Sequence, residues 1–599
     1  MAKKYIDVMD TTFRDGFQSV FGGRVLMDDF FPAVEAAKKA GITHFEFGGG
    51  ARFQSLFFYL QENAFEMMDG FREIVGPDAN LQVLSRGINT VMLDTTSREM
   101  IDLFAKTFKG HGTTTVRNFD ALNDVHNLAY SAECIKRHGL SHEVVVTMMD
   151  LPPGCKGAQD VAFYEKTLRN ILDSGIIFDS VCFKDASGTA NPHKVYETIA
   201  MARKLLGDSV HLRLHTHETA GVSVASYLAA LEAGVNGIDM AASPVSGGTS
   251  QPDILTMLHA TKGSNYNLGD LKLDKILKYE SRLKECLAEY MIPPEATQVS
   301  PLIPFSPMPG GALTANTQMM RDNGELDKFD EVIAAMKEVV ERGGYGTSVT
   351  PVSQFYWQQA YANVMFGPWK QIAPGYGRMV LGYFGKTPVQ ADDEIIKLAS
   401  EKLDLEPTTE NPLDIADRDE KKSIAYWKKV LEDEGLETTD ENIFIAGACD
   451  QKGIAFLKGE GPLMVRKGKN KSGEAEMAGN YTVVVDGKQY SVQVAEGEGD
   501  IQIAPAVTPA ASPTPTPAPA TAPVTKAAGS IEIHSQTPGN VWKIIKNPGD
   551  TVAEGEVIMI LEAMKMEIDI AAPQAGKIAS INVNVNDAVA DGQLLATME

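Results

Sequence analysis

The sequence predicts an α/β protein built on a (β/α)8, or TIM, barrel, followed by a mostly helical segment, a β-hairpin, a linker and a small all-β domain. Three observations predict it. Short apolar strand-like runs alternate with amphipathic helical runs eight times in the first half of the chain, the spacing expected of such a barrel. A stretch of almost pure Ala, Pro, Thr, Ser and Val interrupts the chain at 504–528. Beyond it, two similar halves repeat at an offset of 37 residues: Ile531-Glu532-Ile533 returns as Ile568-Asp569-Ile570, Gly539 as Gly576, Asp550 as Asp587, Val552 as Val589 and Gly555 as Gly592. Two halves of short alternating strands predict a flattened barrel with pseudo-twofold symmetry.

The strands of the large barrel are expected at 5–9, 44–48, 81–85, 114–117, 143–148, 180–183, 211–214 and 237–240. Between them lie amphipathic runs such as 30–39. Active sites of this fold lie at the C-terminal ends of the strands, so the polar residues there carry the functional reading. Asp10-Thr11-Thr12-Phe13-Arg14-Asp15-Gly16-Phe17-Gln18-Ser19 follows the first strand, Arg86 the third, and Lys184-Asp185 the sixth. The seventh ends in His215-Thr216-His217-Glu218-Thr219, and the eighth leads to Ser246-Gly247-Gly248-Thr249-Ser250-Gln251-Pro252. His-x-His in a strand puts both imidazoles on one face. With a carboxylate such as Asp15 from another strand, the pair makes a candidate site for a divalent transition metal. The plainer reading, two packed or hydrogen-bonded histidines, is weakened by their place at the barrel mouth.

From about 300 to 478 the pattern is helical, with Pro309-Gly310-Gly311 and Val349-Thr350-Pro351 marking loops. Residues 481–485, Asp486-Gly487 and 489–494 read as a hairpin with a tight turn. The linker cannot build a core and favours extended conformations that span up to about 75 Å. In the repeat, Lys565 stands in Glu562-Ala563-Met564-Lys565-Met566-Glu567, near the junction of the halves where a hairpin tip is expected. A lysine there is suited to carry a swinging group; the alternative is an ordinary hairpin lysine beside two packing methionines.

Composition narrows the partners. The formal net charge of −24 argues against nucleic acid and anionic membrane surfaces. No apolar run is long enough to cross a bilayer, and the N-terminus enters a strand pattern at once, without the apolar core of a signal peptide. The five scattered cysteines point to reduced thiols and a cytoplasmic setting.

With these motifs in hand, residues 5–480 resemble the carboxyltransferase component of pyruvate carboxylase, oxaloacetate decarboxylase and transcarboxylase. The matching pieces are Asp10 to Asp15 with Gln18-Ser19, Phe183-Lys184-Asp185, His215 to Gly221, and Thr249-Ser250-Gln251-Pro252. Met564-Lys565-Met566 resembles the attachment sequence of biotinyl, lipoyl-like carrier domains. The sequence departs from the family pattern at Gly16-Phe17, where Ala-His is usual, and at Phe47, where Trp is usual.

The resemblance implies five segments: a carboxyltransferase barrel at 1–300, a helical conserved carboxylase domain forming a funnel at 301–479, an oligomerising or capping hairpin at 480–503, the linker at 504–528 and a biotinyl domain at 529–599. It implies Asp15, His215, His217 and a carbamylated Lys184 as ligands to zinc, manganese or cobalt. A carbamate supplies an anionic oxygen where an ammonium would repel the cation; the plainer reading of Lys184 is an ion pair with Asp15 or Asp185. Arg86 is implied to bind the substrate carboxylate, for which a forked guanidinium is apt, and Gln18 to bind the substrate. Thr249 is implied to pass a proton between the pyruvate methyl group and biotin; without the family it reads as a turn hydroxyl.

The implied activity is transfer of CO2 between carboxybiotin on Lys565 and pyruvate or oxaloacetate through a metal-stabilised enolate. No glycine-rich nucleotide loop of ATP-dependent type is evident, so a partner is implied. It is either a separate biotin carboxylase subunit, as in the two-subunit pyruvate carboxylases, or a membrane decarboxylase subunit, as for the α chain of a sodium-pumping oxaloacetate decarboxylase. A biotin protein ligase and a homo-oligomer are expected as well. Two other classes stay open: a carrier and assembly scaffold with an inactive barrel, and a metal-dependent aldol or Claisen enzyme with an appended carrier.

Overall fold

The computed structural model describes residues 3–468, 479–485, 488–494, 531–535, 539–563, 566–585, 587–589 and 592–599. The linker at 504–528, the turn residues Asp486 and Gly487, and Lys565 lie outside the described residues. The chain divides into two compact units, Met1–Lys467 and Gly468–Glu599.

In the first unit eight parallel strands close a barrel: β1 (Lys4–Asp10), β2 (His44–Gly49), β3 (Asn80–Ser85), β4 (Thr115–Asn118), β5 (Ser141–Thr147), β6 (Ser180–Asp185), β7 (His211–Thr216) and β8 (Gly237–Met240). Closure is made by β1, which pairs with β8 from Asp7↔Gly237 to Asp10↔Met240 and with β2 at Asp10↔Phe45. A ninth strand, β9 (Tyr266–Leu268), extends the sheet beside the first residues of β1; at three residues it leaves no periodic signal.

The strands are apolar on the face that meets the helices. On β7, Leu212 and Leu214 join the apolar shell, and the alternate residues Arg213 and His215 point the other way. That inner face is charged. Arg117 on β4 bonds Asp239 on β8 at 2.6 Å, across the barrel, and Glu143 on β5 at 2.6 Å. Arg213 reaches Asp239 at 3.0 Å and also pairs with Asp7. Burial of charge is costly unless each group is paired, and here the pairing knits opposite walls of the barrel together.

The segment after the barrel is helical. Its helix Gly310–Asp322 starts at the residues expected to be a loop. The helix Asp440–Leu457 returns to the barrel and sets Phe444 among Phe53, Phe65, Phe104 and Phe108. Among the described residues no helix is long and apolar enough to cross a membrane, and the five cysteines are unpaired.

The second unit holds an antiparallel hairpin of β10 (Gly479–Val485) and β11 (Lys488–Val494). Eight further strands follow: β12 (Ile531–His534), β13 (Gly539–Ile544), β14 (Thr551–Val552), β15 (Val557–Ala563), β16 (Met566–Ala571), β17 (Gly576–Ile581), β18 (Ala588–Val589) and β19 (Leu594–Met598). They form two four-stranded sheets, in the orders β12-β19-β17-β14 and β16-β15-β13-β18. Moving along the chain by the repeat exchanges β13 with β17, β14 with β18 and β15 with β19, so each sheet is the image of the other and takes strands from both halves. The shared apolar core includes Ile533, Val541, Ile558, Leu561, Ile570, Ile578, Leu595 and Met598.

Candidate active site

The chain leaves β1 in a π-helical turn, Thr12–Gly16, a form that recurs at functional sites. Asp10 anchors it: Oδ1 accepts from the Thr12 amide at 2.9 Å and from its hydroxyl, and Oδ2 accepts from the Tyr279 hydroxyl at 2.7 Å. The turn places Arg14 and Asp15 at the mouth. Lys184 comes from the end of β6, His215 from the end of β7, and His217 from just beyond it.

These residues converge. His215 Nε2 lies 3.1 Å from His217 Nε2, and the two nitrogens lie 3.2 and 3.4 Å from Asp15 Oδ2. The three side chains are buried. Each ring's other nitrogen faces an acceptor: His215 Nδ1 is 2.8 Å from Asp239 Oδ2, and His217 Nδ1 is 2.8 Å from the Thr249 carbonyl. Both rings therefore carry hydrogen on Nδ1 and turn Nε2 lone pairs toward one another and toward a carboxylate oxygen. Donors now face these lone pairs, Lys184 Nζ at 2.7 Å from His215 Nε2 and Gln251 Nε2 at 3.0 Å from His217 Nε2, and a divalent cation would satisfy all three acceptors together. Their separations match the roughly 3.0–3.4 Å between ligands that bonds of about 2.1 Å to a divalent metal produce. The donor set fits a metal.

Lys184 stands beside the cluster. Its Nζ is 2.7 Å from His215 Nε2 and 3.7 Å from Asp15 Oδ2. Asp185 is not its partner, because those carboxylate oxygens accept from Ser187 Oγ at 2.8 Å and the Ala190 amide at 2.7 Å. Burial lowers the Lys184 pKa, opposed by Asp15 and Glu46. Burial also raises the pKa of Asp15, but Arg14, His217 and Lys184 outweigh it and hold the carboxyl well below the usual range.

A recess with about 390 Å³ of empty volume, partly open to solvent, adjoins the cluster. The barrel lines it with Arg14, Asp15, Gln18, Arg86, Lys184 and His217, and the helical segment with Pro309, Gly311, Ala312, Val349 and Thr350. Arg86 Nη1 donates to the carbonyls of Val91 and, at 3.1 Å, Met92, whereas its buried Nε has no partner among the described residues. Gln18 Oε1 accepts from Arg14 Nη1 at 3.4 Å. Thr249 is not part of this lining. Its hydroxyl lies 3.0 Å from the Ser19 carbonyl and 3.3 Å from that of Ala296, and accepts from Thr314 Oγ1 at 3.2 Å.

The start of helix Gly310–Asp322 closes over the mouth. A Cβ on Gly310 would stand 1.6 Å from the Thr249 carbonyl oxygen and 3.0 Å from His217 Nδ1. Gly310→Ala is expected to push this helix off the mouth, costing about 1–3 kcal/mol. Thermal melting of the purified variant checks the cost, and an unchanged melting temperature contradicts the fit.

Sequence reading assigned no role to Arg14, Arg117, Asp239 or Gln251. Arg14 pairs with Glu46 at 2.6 Å. Gln251 Nε2 lies 3.1 Å from Asp15 Oδ2, and its Oε1 accepts from Thr11 Oγ1 at 2.8 Å. A signal existed for Arg117 and Asp239: a charge inside a strand buried on both faces has to meet a partner within the barrel.

Comparison with known proteins gives the cluster its setting. Residues 303–499 match the family described as "Conserved carboxylase domain", and residues 531–598 match "Biotin-requiring enzyme". A buried candidate metal cluster at the barrel mouth, on one chain with these two domains, defines a biotin-dependent carboxyltransferase. A pyruvate carboxylase subunit from Methanocaldococcus jannaschii is 29% identical over 565 residues, covering 94% of both chains. The methylmalonyl-CoA carboxyltransferase 5S subunit of Propionibacterium freudenreichii subsp. shermanii is 29% identical over 459 residues, covering 76% of this chain and 88% of that one. The carboxyl transferase domain of Rhizobium etli pyruvate carboxylase superposes with a TM-score of 0.69 at 21% identity, over 82% of this chain and 89% of that one, and so shares the fold. The chain is related to the pyruvate carboxylase and oxaloacetate decarboxylase family of biotin-dependent carboxyltransferases.

Proposed function

We propose that the chain moves a carboxyl group between biotin on Lys565 and the methyl carbon of pyruvate, as the carboxyltransferase component of a two-subunit pyruvate carboxylase. The carrying observation is the convergence of Asp15 Oδ2, His215 Nε2 and His217 Nε2 beside a recess that also holds Arg86. In this reading Asp15, His215, His217 and a carbamylated Lys184 hold a zinc, manganese or cobalt ion. When bound, the ion supplies Lewis-acid polarisation of the keto oxygen, and biotin supplies a carrier for the carboxyl group. Exchanging an ammonium for a carbamate lowers the local charge by two, the charge that a divalent cation adds, so the pairing of the buried groups around it is preserved.

Arg86 binds the keto acid's carboxylate through the donors its own loop leaves free, and Gln18 fixes the acid's orientation. Thr249 Oγ1 would relay a proton from the methyl carbon to the biotin nitrogen as that nitrogen's bond to its carboxyl group breaks and frees CO2, and the methyl carbon, its C–H bond broken, would form the new C–C bond to that CO2 to give oxaloacetate. A neutral hydroxyl serves because it adds no charge beside the enolate. Thr249 now accepts from Thr314 and lies against two carbonyls, so it must turn toward the recess to act. Arg86→Gln, which removes the fork and its charge, is expected to raise KM for the keto acid about 100-fold, or about 3 kcal/mol of binding. Steady-state kinetics check this, and an unchanged KM excludes Arg86 as the carboxylate site.

The five-segment division, with a helical funnel at 301–479, a flattened biotinyl barrel at 529–599 and a linker that lets Lys565 travel, belongs to the same proposal. So do biotinylation by a biotin protein ligase, a homo-oligomer and a cytoplasmic location. Support for a separate biotin carboxylase partner is the likeness to a relative named as one subunit, not the whole, of a pyruvate carboxylase. The test is to mix the biotinylated chain with a biotin carboxylase, ATP, labelled bicarbonate and pyruvate. Label in oxaloacetate establishes the pyruvate carboxylase role. No label, together with biotin-dependent oxaloacetate decarboxylation, replaces it with the decarboxylase reading and a membrane partner.

A further inference from the structure

Asp239, near the end of β8, has no part in the reaction described above, yet it touches the cluster. It is fully buried. Its Oδ2 takes two groups, Arg117 Nη1 at 2.6 Å and His215 Nδ1 at 2.8 Å, and its Oδ1 takes Arg213 Nη1 at 3.0 Å. Arg117 Nη1 is itself only 3.3 Å from His215 Nδ1. Arginine has donors only, whereas a ring nitrogen without hydrogen accepts. Arg117 and His215 therefore face one another as alternative partners, and the two pairings put the ring hydrogen on opposite nitrogens. Bonded to Asp239, His215 carries hydrogen on Nδ1 and offers a lone pair at Nε2. Bonded to Arg117, it accepts at Nδ1 and carries hydrogen on Nε2, the atom that faces His217 Nε2 and Asp15 Oδ2.

We infer that Asp239 is a positioning residue that sets the tautomer of His215. It accepts the Nδ1 hydrogen and at the same time holds the competing Arg117 donor in a shorter bond. A second contact agrees: Lys184 Nζ, a donor, lies 2.7 Å from His215 Nε2. His217 has its Nδ1 satisfied by a backbone carbonyl instead, so the dependence on a side chain is particular to His215. The consequence for a cation rests on the reading of the cluster given above; the tautomer itself does not.

The test uses the full-length biotinylated chain as wild type, Asp239→Leu, Arg117→Met and the double variant. Leucine keeps the shape of the aspartate without an acceptor, and the double variant replaces a buried ion pair by apolar groups, a change that buried pairs tolerate better than loss of one partner. Two quantities are read: the ¹⁵N shifts of the His215 ring in metal-free protein, assigned with His215→Gln, and Co²⁺ affinity by chelator competition. Wild type is expected to carry hydrogen on Nδ1. Asp239→Leu is expected to move it to Nε2 and to weaken Co²⁺ binding about 10–100-fold, while Arg117→Met stays within about twofold of wild type and the double variant recovers most of the loss. Hydrogen on Nε2 in the wild type overturns the proposal. So does a loss in Arg117→Met as large as in Asp239→Leu, or losses that simply follow the melting temperatures of the metal-free proteins. If Asp239→Leu does not fold, the wild-type tautomer and the Arg117→Met affinity decide. A wild type with hydrogen on Nδ1 that binds no Co²⁺ refutes the cation reading and leaves the tautomer assignment standing.

Discussion

Lys565→Ala is expected to abolish biotin incorporation and all carboxyl transfer through the protein's own carrier, while the barrel keeps its activity toward free biotin. The strand pairing of the small domain gives the reason. Ala563 on β15 pairs with Met566 on β16, and the sequence repeat places a hairpin tip at Lys565 as an expectation. The surrounding core, from Val541 through Leu561 to Met598, does not depend on that side chain, and the domain is expected to fold without it. A tethered carrier works at an effective concentration of the order of millimolar. Free biotin must therefore be supplied at that level or above before rescue is visible. Streptavidin blotting reads attachment, and oxaloacetate formation with and without free biotin reads transfer. Loss of both activities refutes a role confined to carrying.

The second large effect is expected for His217→Ala. Its Nε2 is one of three donors that meet at the barrel mouth, and Nδ1 is held by the Thr249 carbonyl. Removing the ring leaves Asp15, His215 and the proposed Lys184 carbamate, one imidazole short of the four-ligand set and with one of its two neutral nitrogen donors gone, which weakens a transition-metal site. Metal content is expected to fall from about one ion per chain to near zero, and turnover at least about 1,000-fold, equivalent to about 4 kcal/mol of transition-state stabilisation. Elemental analysis of the purified variant and steady-state rates check the two together. Retained metal with lost turnover would move His217 from ligand to another role. Lost metal with retained turnover would remove the ion from the reaction.

Much of this architecture was legible in the residues because it repeats. All eight barrel strands announce themselves by alternating with helices, and the two halves of the small domain by one constant offset, which the structure turns into paired strands. Boundaries were less legible. Lys184 reads as a residue following its strand, but it is inside the end of β6; the His-x-His pair reads as the end of the seventh strand, and β7 stops at Thr216, between the two. Pro309-Gly310-Gly311 reads as a loop, although Gly310 opens a helix because only a residue without a side chain fits against Thr249. The charged interior was legible only as buried charges in need of partners, not as particular pairs. Arg117 and Asp239 lie on β4 and β8, which meet only through the closed barrel, and no spacing in the chain encodes a contact made by closure. Motif matching singled out Thr249 but not the partners of its hydroxyl, since those are brought from distant segments: the Ser19 and Ala296 carbonyls and Thr314 Oγ1.

The proposed function depends on one exchange: a carboxyl group passing between the keto acid in the barrel and biotin carried on the same polypeptide. Isotope exchange with no partner protein present decides whether it occurs. The biotinylated, metal-replete protein is incubated with oxaloacetate and ¹⁴C-labelled pyruvate. Label is expected in oxaloacetate, at a rate that vanishes in Lys565→Ala and in His217→Ala. Metal-bound, fully biotinylated protein that exchanges no label between the two acids would contradict the proposed exchange.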